Sequence, residues 1–358
     1  MDLANGVHID RYQVEAKLRA TPLATVYRVR HVDENVRYAL KVLHLDRPTL
    51  QDRILAEGRA QSQLRHPNVV AVTDVLDIGG NPGLLSEFVH GPTLEVVLSR
   101  VRVDLDVVEQ LVPGILAGVA AAHERQVVHR DLKPANILIE VTDGAFVPKI
   151  ADFGLARLLG QHRSGITASG ATITTPNYMA PETVRNARSS NARSDLFALG
   201  AILYELVTGQ KAFANENVFA TLSDITSGQY APVRELRPET PPRIVEAIEA
   251  ALELDVEDRV ASSHELWQLW SGGEGPDLEQ AASRPIALST AWSLRLADLA
   301  PDLEAGTGRR RGASTVDSTW VVPRFQLPPG VTRRRGWVMA GGIAVLALVA
   351  VLVGLLLA

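Results

Sequence analysis

The chain has no cysteine in its 358 residues. Disulfides, thiolate nucleophiles and Cys-ligated zinc are thereby excluded, and a bacterial cytosolic setting fits. It has no basic excess either: 36 Lys and Arg stand against 41 Asp and Glu, a formal net charge of -5. Nucleic-acid binders carry a strong basic excess as their electrostatic footprint, so no nucleic-acid partner is expected. The stretch from Met1 to Gln13 lacks the apolar run of a signal peptide. No internal repeat marks a solenoid. What is present is ordinary globular composition, 46% hydrophobic and 22% charged, which rules out a wholly disordered chain. One domain per ~150 residues gives about two folding units.

Residues from about 10 to 271 carry folded-domain periodicity. Val36 to Leu43 alternates and is β-rich, as a half-buried strand should be. Helical spacing follows over Gln51–Leu64, Val107–His123, Asp195–Thr208 and Ile244–Leu254. A β-rich first part and an α-rich second part imply two lobes. Between about 272 and 336 the sequence turns Gly-, Pro- and charge-rich, which reads as a flexible juxtamembrane linker. Inside it, Ile286–Leu299 is either one amphipathic helix or weakly ordered. Arg309, Arg310 and Arg311 are either lipid-facing or a solvated loop. The run Trp337–Ala358 has no charge, and about 20 such residues span a bilayer core of ~30 Å. A membrane helix over 337–358 is expected. Arg333, Arg334 and Arg335 just before it place everything upstream in the cytoplasm, at the inner membrane, with no extracellular domain.

The strongest signal is His129-Arg130-Asp131-Leu132-Lys133-Pro134-Ala135-Asn136, followed by Asp152-Phe153-Gly154 and Ala180-Pro181-Glu182. In this set, over residues 10–271, the chain resembles the protein kinases, specifically the eukaryotic-like bacterial serine/threonine kinases. The resemblance implies an α+β, bilobal fold, with an N-lobe of about 10–89 and a C-lobe of about 90–271. It implies transfer of the ATP γ-phosphate to Ser/Thr hydroxyls of proteins. That chemistry needs mainly positioning and charge neutralisation. Asp131 would take or orient the hydroxyl proton. Asn136 and Asp152 are hard oxygen donors suited to Mg²⁺, with Mn²⁺ an alternative. Lys133 would reach the γ-phosphate and marks Ser/Thr specificity in the family. Lys41 would hold the α- and β-phosphates, and Glu57, nine residues before His66-Pro67-Asn68, would pair with it.

The adenine pocket is carried over in the same way: Leu18, Val26 and Ala39 as roof, Leu138 as floor, and the backbones of Glu87 and Val89 as hinge. Ser86 then holds the gatekeeper position. Asp195 would tie the catalytic loop from below, and Glu182 would pair with Arg259. Arg130 often gathers an activation-segment phosphate in the family, which points to Thr167, Ser169 or Thr172. Thr175 would help place the substrate, with Thr174 standing where the family has glycine. The spacing of Ala340 with Ala344, and of Ala350 with Gly354, suits self-association of membrane helices and so trans-autophosphorylation.

One motif departs from the family. Arg19, Thr21 and Ala24 stand where the three phosphate-loop glycines would, while Val26 and Tyr27 keep the register. Glycine serves there because amides must approach phosphates closely and φ can be positive. A stiffer, weaker phosphate clamp is expected. Two readings follow, a kinase with weak ATP affinity or a pseudokinase scaffold. Intact Asp131 and Asp152 favour the first. A small-molecule kinase is opposed by Lys133 and by Ala180-Pro181-Glu182.

Overall fold

The computed structural model describes residues 2–44, 61–142, 145–153, 176–287 and 292. A six-stranded antiparallel sheet comes first: β1 (His8–Ile9), β2 (Tyr12–Ala20), β3 (Ala24–His31), β4 (Arg37–Leu43), β5 (Val72–Ile78) and β6 (Asn81–Glu87), in the order β1-β2-β3-β4-β6-β5. Strand alternation divides its two faces. Tyr27, Val29, Leu40, Val42 and Leu85 are buried in one cluster with Tyr12, Val14 and Ile78. The alternate set includes Val26 opposite Lys41 and Ala39 opposite Ser86. The β-rich pattern thus aims Lys41 away from that cluster.

The second lobe is built on buried helices. After α1 (Leu94–Arg100) comes α2 (Leu105–Glu124), then β7 (Ile137–Thr142), β8 (Ala145–Ile150), α3 (Pro181–Arg185) and α4 (Ala192–Thr208). The lobe continues through α5 (Val218–Ser227), α6 (Val233–Leu236), α7 (Pro242–Ala251), α8 (Ser263–Ser271), α9 (Leu278–Ala282) and β9 (Ile286–Ala287). The apolar positions of α2 and α4 meet in one large core with Ile244, Ile248, Leu266 and Trp270. Each fully buried Leu, Ile or Val there contributes about 1.5–3 kcal/mol. Gly114 and Gly118 let the turn at Asn68 approach α2. A Cβ at Gly118 would stand 2.5 Å from the Asn68 carbonyl oxygen. Among the described residues α2 is also the one helix long and apolar enough to cross a bilayer, and 78% of its apolar window is buried in the core.

The helices expected over 107–123, 195–208 and 244–254 are present as α2, α4 and α7. Most of the helix expected over 51–64 lies outside the described residues, as do Glu57, Gly154, the activation segment to Thr175, and 337–358. The expectation of a flexible linker over 272–336 is corrected for residues 272–287; apart from Trp292 the rest lies outside the described residues. Leu278, Ile286 and Trp292 are buried, and β9 pairs with β8 to make the three-stranded order β7-β8-β9. Three well-spaced apolar side chains anchor a segment that composition alone marks as loop. Ile286 and Ala287 lie in β9 rather than a helix, Trp292 is helical, and the rest of the segment Ile286–Leu299 lies outside the described residues.

Candidate active site

The catalytic loop hangs from one buried carboxylate. Asp195, 1% exposed in the first turn of α4, accepts the backbone N–H of His129 and of Arg130, each at 2.8 Å. It also lies 2.8 Å from Nε2 of His123. A buried charge is tolerable only when so satisfied. These bonds hold Arg130 at φ 69°, a left-handed backbone costly for a long side chain.

His129 joins this loop to the next. Its Nε2 bonds to the Ala151 carbonyl at 2.8 Å, and its Nδ1 accepts the Asp131 N–H at 3.3 Å. One neutral tautomer serves both bonds. The ring packs against Phe153 with centroids 4.8 Å apart. Beyond the loop, Lys133 Nζ donates to Asp131 at 2.6 Å, and Asn136 Nδ2 donates to the Asp131 carbonyl at 2.8 Å. The amide oxygen of Asn136 is thereby the free end. Ala151 N–H returns to the Asn136 carbonyl at 2.8 Å.

Lys41 reaches down from β4 and pairs with Asp152 at 2.8 Å. Asp152 sits at φ 66°, another left-handed residue, while the Gln61 side chain bonds the next carbonyl, that of Phe153. Burial pushes the Asp152 carboxyl up, but Lys41, His129 and Lys133 together outweigh it and hold the group below its ordinary value. It is therefore an anion at neutral pH, the form a metal needs. Among the described residues no cluster of three or more His, Cys, Asp or Glu could hold an ion. Asn136 and Asp152, an amide oxygen and a carboxylate, fit a hard cation such as Mg²⁺.

The expected adenine roof and floor residues all keep part of their surface exposed. Leu18, at an irregularity in the β2–β3 register, is 40% exposed. Val26, Ala39 and Leu138 are half-buried. Leu138 is brought beside the hinge by its bridge to Thr93. Gly91 permits this: at φ 157°, a Cβ there would lie 1.8 Å from the Ile139 carbonyl oxygen. Val89 is buried, and among the described residues its N–H and C=O make no backbone hydrogen bond, so its amide edge is open to a ligand. Glu87 differs from expectation in part. Its N–H is taken by the Ala71 carbonyl at 2.9 Å. Its carboxylate accepts the Ala71 N–H at 2.9 Å and pairs with Lys149 at 2.8 Å. Behind Ser86 a cavity of about 60 Å³ is lined by Lys41, Leu64, Leu84, Asp152 and Phe153, as a small residue at that position allows.

The glycine-free tip closes on itself. Thr21 N–H donates to the Ala24 carbonyl at 2.8 Å, and the Thr21 hydroxyl accepts the Ala24 N–H at 3.1 Å. Residues 19–24 all have negative φ. The turn between β2 and β3 therefore needs no glycine to form, and two of the amides that could face a phosphate, those of Thr21 and Ala24, are already used.

On the other side of Asp131, Tyr178, Met179 and Thr183 line a small cavity shared with Asp131 and Lys133. Glu182 is fixed by Arg259 at 2.9 and 3.1 Å and by Ser194 at 2.7 Å. Arg259 is fully buried and lies 5.0 Å over the Phe197 ring. These ties confirm the pair expected from the resemblance.

The protein kinase domain family matches residues 12–271. The chain belongs to the protein kinase family. It is 33% identical over 328 residues to the serine/threonine-protein kinase Pkn1 of Myxococcus xanthus, covering 87% of this chain and 45% of that one. It is 33% identical over 257 residues to PknL of Mycobacterium tuberculosis, covering 71% and 63%. The chain thus spans between about half and two thirds of these relatives. A crystal structure of Rad53 residues 1–466 in complex with AMP-PNP superposes with a TM-score of 0.60 at 25% identity, over 73% of this chain and 65% of that one. Within this kinase domain, the structure sets Lys41 on Asp152 and both Lys133 and Asn136 on Asp131, all of them residues that the sequence reading places at one site. That reading missed the roles of His123, His129 and Lys149. A histidine or lysine without a motif gives no sign of its long-range partner.

Proposed function

We propose that the chain is a protein serine/threonine kinase that transfers the γ-phosphate of ATP to Ser or Thr hydroxyls of proteins. The observation that carries this reading is the meeting of two charge pairs, Lys133 on Asp131 and Lys41 on Asp152, on loops joined through His129. Asp131 orients the substrate hydroxyl and takes its proton as the phosphoryl group transfers. Lys133 balances charge at the γ-phosphate and Lys41 at the α- and β-phosphates. Asn136 and Asp152 would hold Mg²⁺ or Mn²⁺, which would supply charge neutralisation for the phosphates. Adenine would lie between Leu18, Val26 and Ala39 above and Leu138 below, with its edge on the Glu87 carbonyl and the Val89 amide. The test is incubation of the full-length protein with labelled ATP, Mg²⁺ and a generic protein substrate. Lys41→Met and Asp152→Ala should each abolish transfer at unchanged melting temperature; retained transfer in Asp152→Ala would reject the metal assignment.

The apolar run 337–358 supports a second part of the reading: anchoring in the inner membrane, with the kinase domain cytoplasmic and copies meeting for trans-autophosphorylation at Thr167 or Ser169. The full-length protein should resist carbonate extraction from membranes, and recovery in the soluble fraction would contradict the anchor. Phosphate mapped only to residues 272–336 would contradict the activation-segment sites.

A further inference from the structure

The matched domain ends at residue 271, but the fold does not. After α8 the chain turns back at Gly272, and Trp267 Nε1 donates to the Pro276 carbonyl at 3.0 Å. Asp277 caps α9 by accepting the Gln280 N–H at 2.8 Å. Leu278 is 1% exposed in the main core. Ile286 and Ala287 then pair with Phe146 and Ala145. Trp292 Nε1 donates to Asp104 at 2.8 Å. Capping, core burial, strand pairing and a far anchor recur within one short segment.

That segment touches the support of Asp152 at two points. The outer edge of β8, the edge away from β7, is covered at its start by β9. At its end the same edge bridges to Val69. There Ile150 N–H donates to the Asn68 carbonyl at 2.8 Å, and Asn68 Nδ2 donates to the Pro148 carbonyl at 2.9 Å. Asp152 follows two residues later. The turn carrying Asn68 is itself set by His66, whose Nδ1 accepts the Asn68 N–H at 3.1 Å. With Nδ1 an acceptor, neutral His66 carries its proton on Nε2, 3.1 Å from a Glu279 carboxylate oxygen. Glu279 is mostly exposed. Among the described residues its carboxylate reaches a residue 213 positions earlier.

We propose that residues 276–287 form a strap in which Glu279 is a positioning residue for phosphotransfer. By orienting His66 it fixes the Asn68 turn on β8, and so fixes Asp152 against Lys41. This rests on the kinase reading above.

The experiment uses the full-length protein with Glu279→Ala and Glu279→Gln, measuring kcat, KM for ATP, melting temperature and hydrogen exchange of the peptide around Ile150–Phe153. A Gln carbonyl can still accept from His66, whereas Ala cannot. Glu279→Ala should lower kcat about fivefold, the size of one lost hydrogen bond. It should also speed exchange at 150–153, with the melting temperature unchanged because the side chain is exposed. Glu279→Gln should restore both. Wild-type kcat and exchange in Glu279→Ala would overturn the strap, as would a Gln variant no better than Ala, or a kcat loss matched by a fall in melting temperature. If the wild type itself transfers no phosphate, the functional reading fails, and the exchange data alone decide the strap.

Discussion

The two lobes hold their functional residues in different ways. The second lobe suspends Asp131, Asn136 and Asp152 from buried polar ties, Asp195 beneath the loop and His129 across it, within one large apolar core. The first lobe presents Lys41, Val26 and Ala39 from a sheet whose separate cluster is small, ending in a turn closed by a threonine hydroxyl. In the reading proposed above, chemistry is placed by the thick lobe and nucleotide grip by the thin one. Damage to a tie in the second lobe should cost stability and activity together. Changes at the tip of the first should alter affinity alone.

Arg259→Ala breaks this contrast most severely. It leaves Glu182 without its cation inside the fold, and removing one partner of a buried pair costs about 3–5 kcal/mol. Urea unfolding should show that loss, with the midpoint shifted at unchanged slope. Asp195→Asn is gentler, since the amide oxygen keeps one acceptor. It exchanges a charged acceptor for a neutral one and should cost about 1.5–3 kcal/mol with a marked fall in kcat, measured on the same samples.

The tip gives the opposite kind of effect. Glycine at positions 19, 21 and 24 frees the amide held by Thr21 and should tighten ATP about fivefold, near 1 kcal/mol, at little cost in unfolding midpoint. Isothermal titration measures it. Equal affinity would mean that Arg19 or Thr21 contacts phosphate through its side chain.

The smallest effect is in acid. Burial pushes the carboxyls of Glu15 and Glu182 up. The cations beside them, Arg28, Arg30 and Arg37 for the first and Arg259 for the second, outweigh it, so both titrate below their ordinary value of 4.5. A depressed carboxyl contributes stability that is present above the unfolded value and lost as pH falls through the folded one. Melting temperature should therefore hold at neutral pH and decline from about pH 5 downward, less steeply in Glu182→Gln.

The motif residues were legible because phosphotransfer fixes both residue type and spacing, and the lobes were legible from the change of apolar period. The salt bridge of Glu87 with Lys149 was not, nor was the bond from Glu279 to His66. Each joins distant segments through single polar side chains that leave no periodicity behind. The post-domain segment was misread for a related reason. Its Gly, Pro and charges outnumber Leu278, Ile286 and Trp292, yet three well-placed apolar residues suffice when a strand edge and a core pocket await them. The phosphate-loop departure was visible in the sequence, but not that Thr21 would cap its own turn.

The most direct measurement compares phosphotransfer by the full-length wild type and by Asp131→Asn, with labelled ATP and Mg²⁺ at matched protein concentration. Asp131→Asn keeps the shape of the loop and its carbonyl bond to Asn136 but removes the proton acceptor. The account expects steady incorporation of label by the wild type and none above background by the variant, with equal melting temperatures and equal ATP affinity. Equal incorporation by both proteins would contradict the assignment of Asp131 and with it the chemistry proposed for this site.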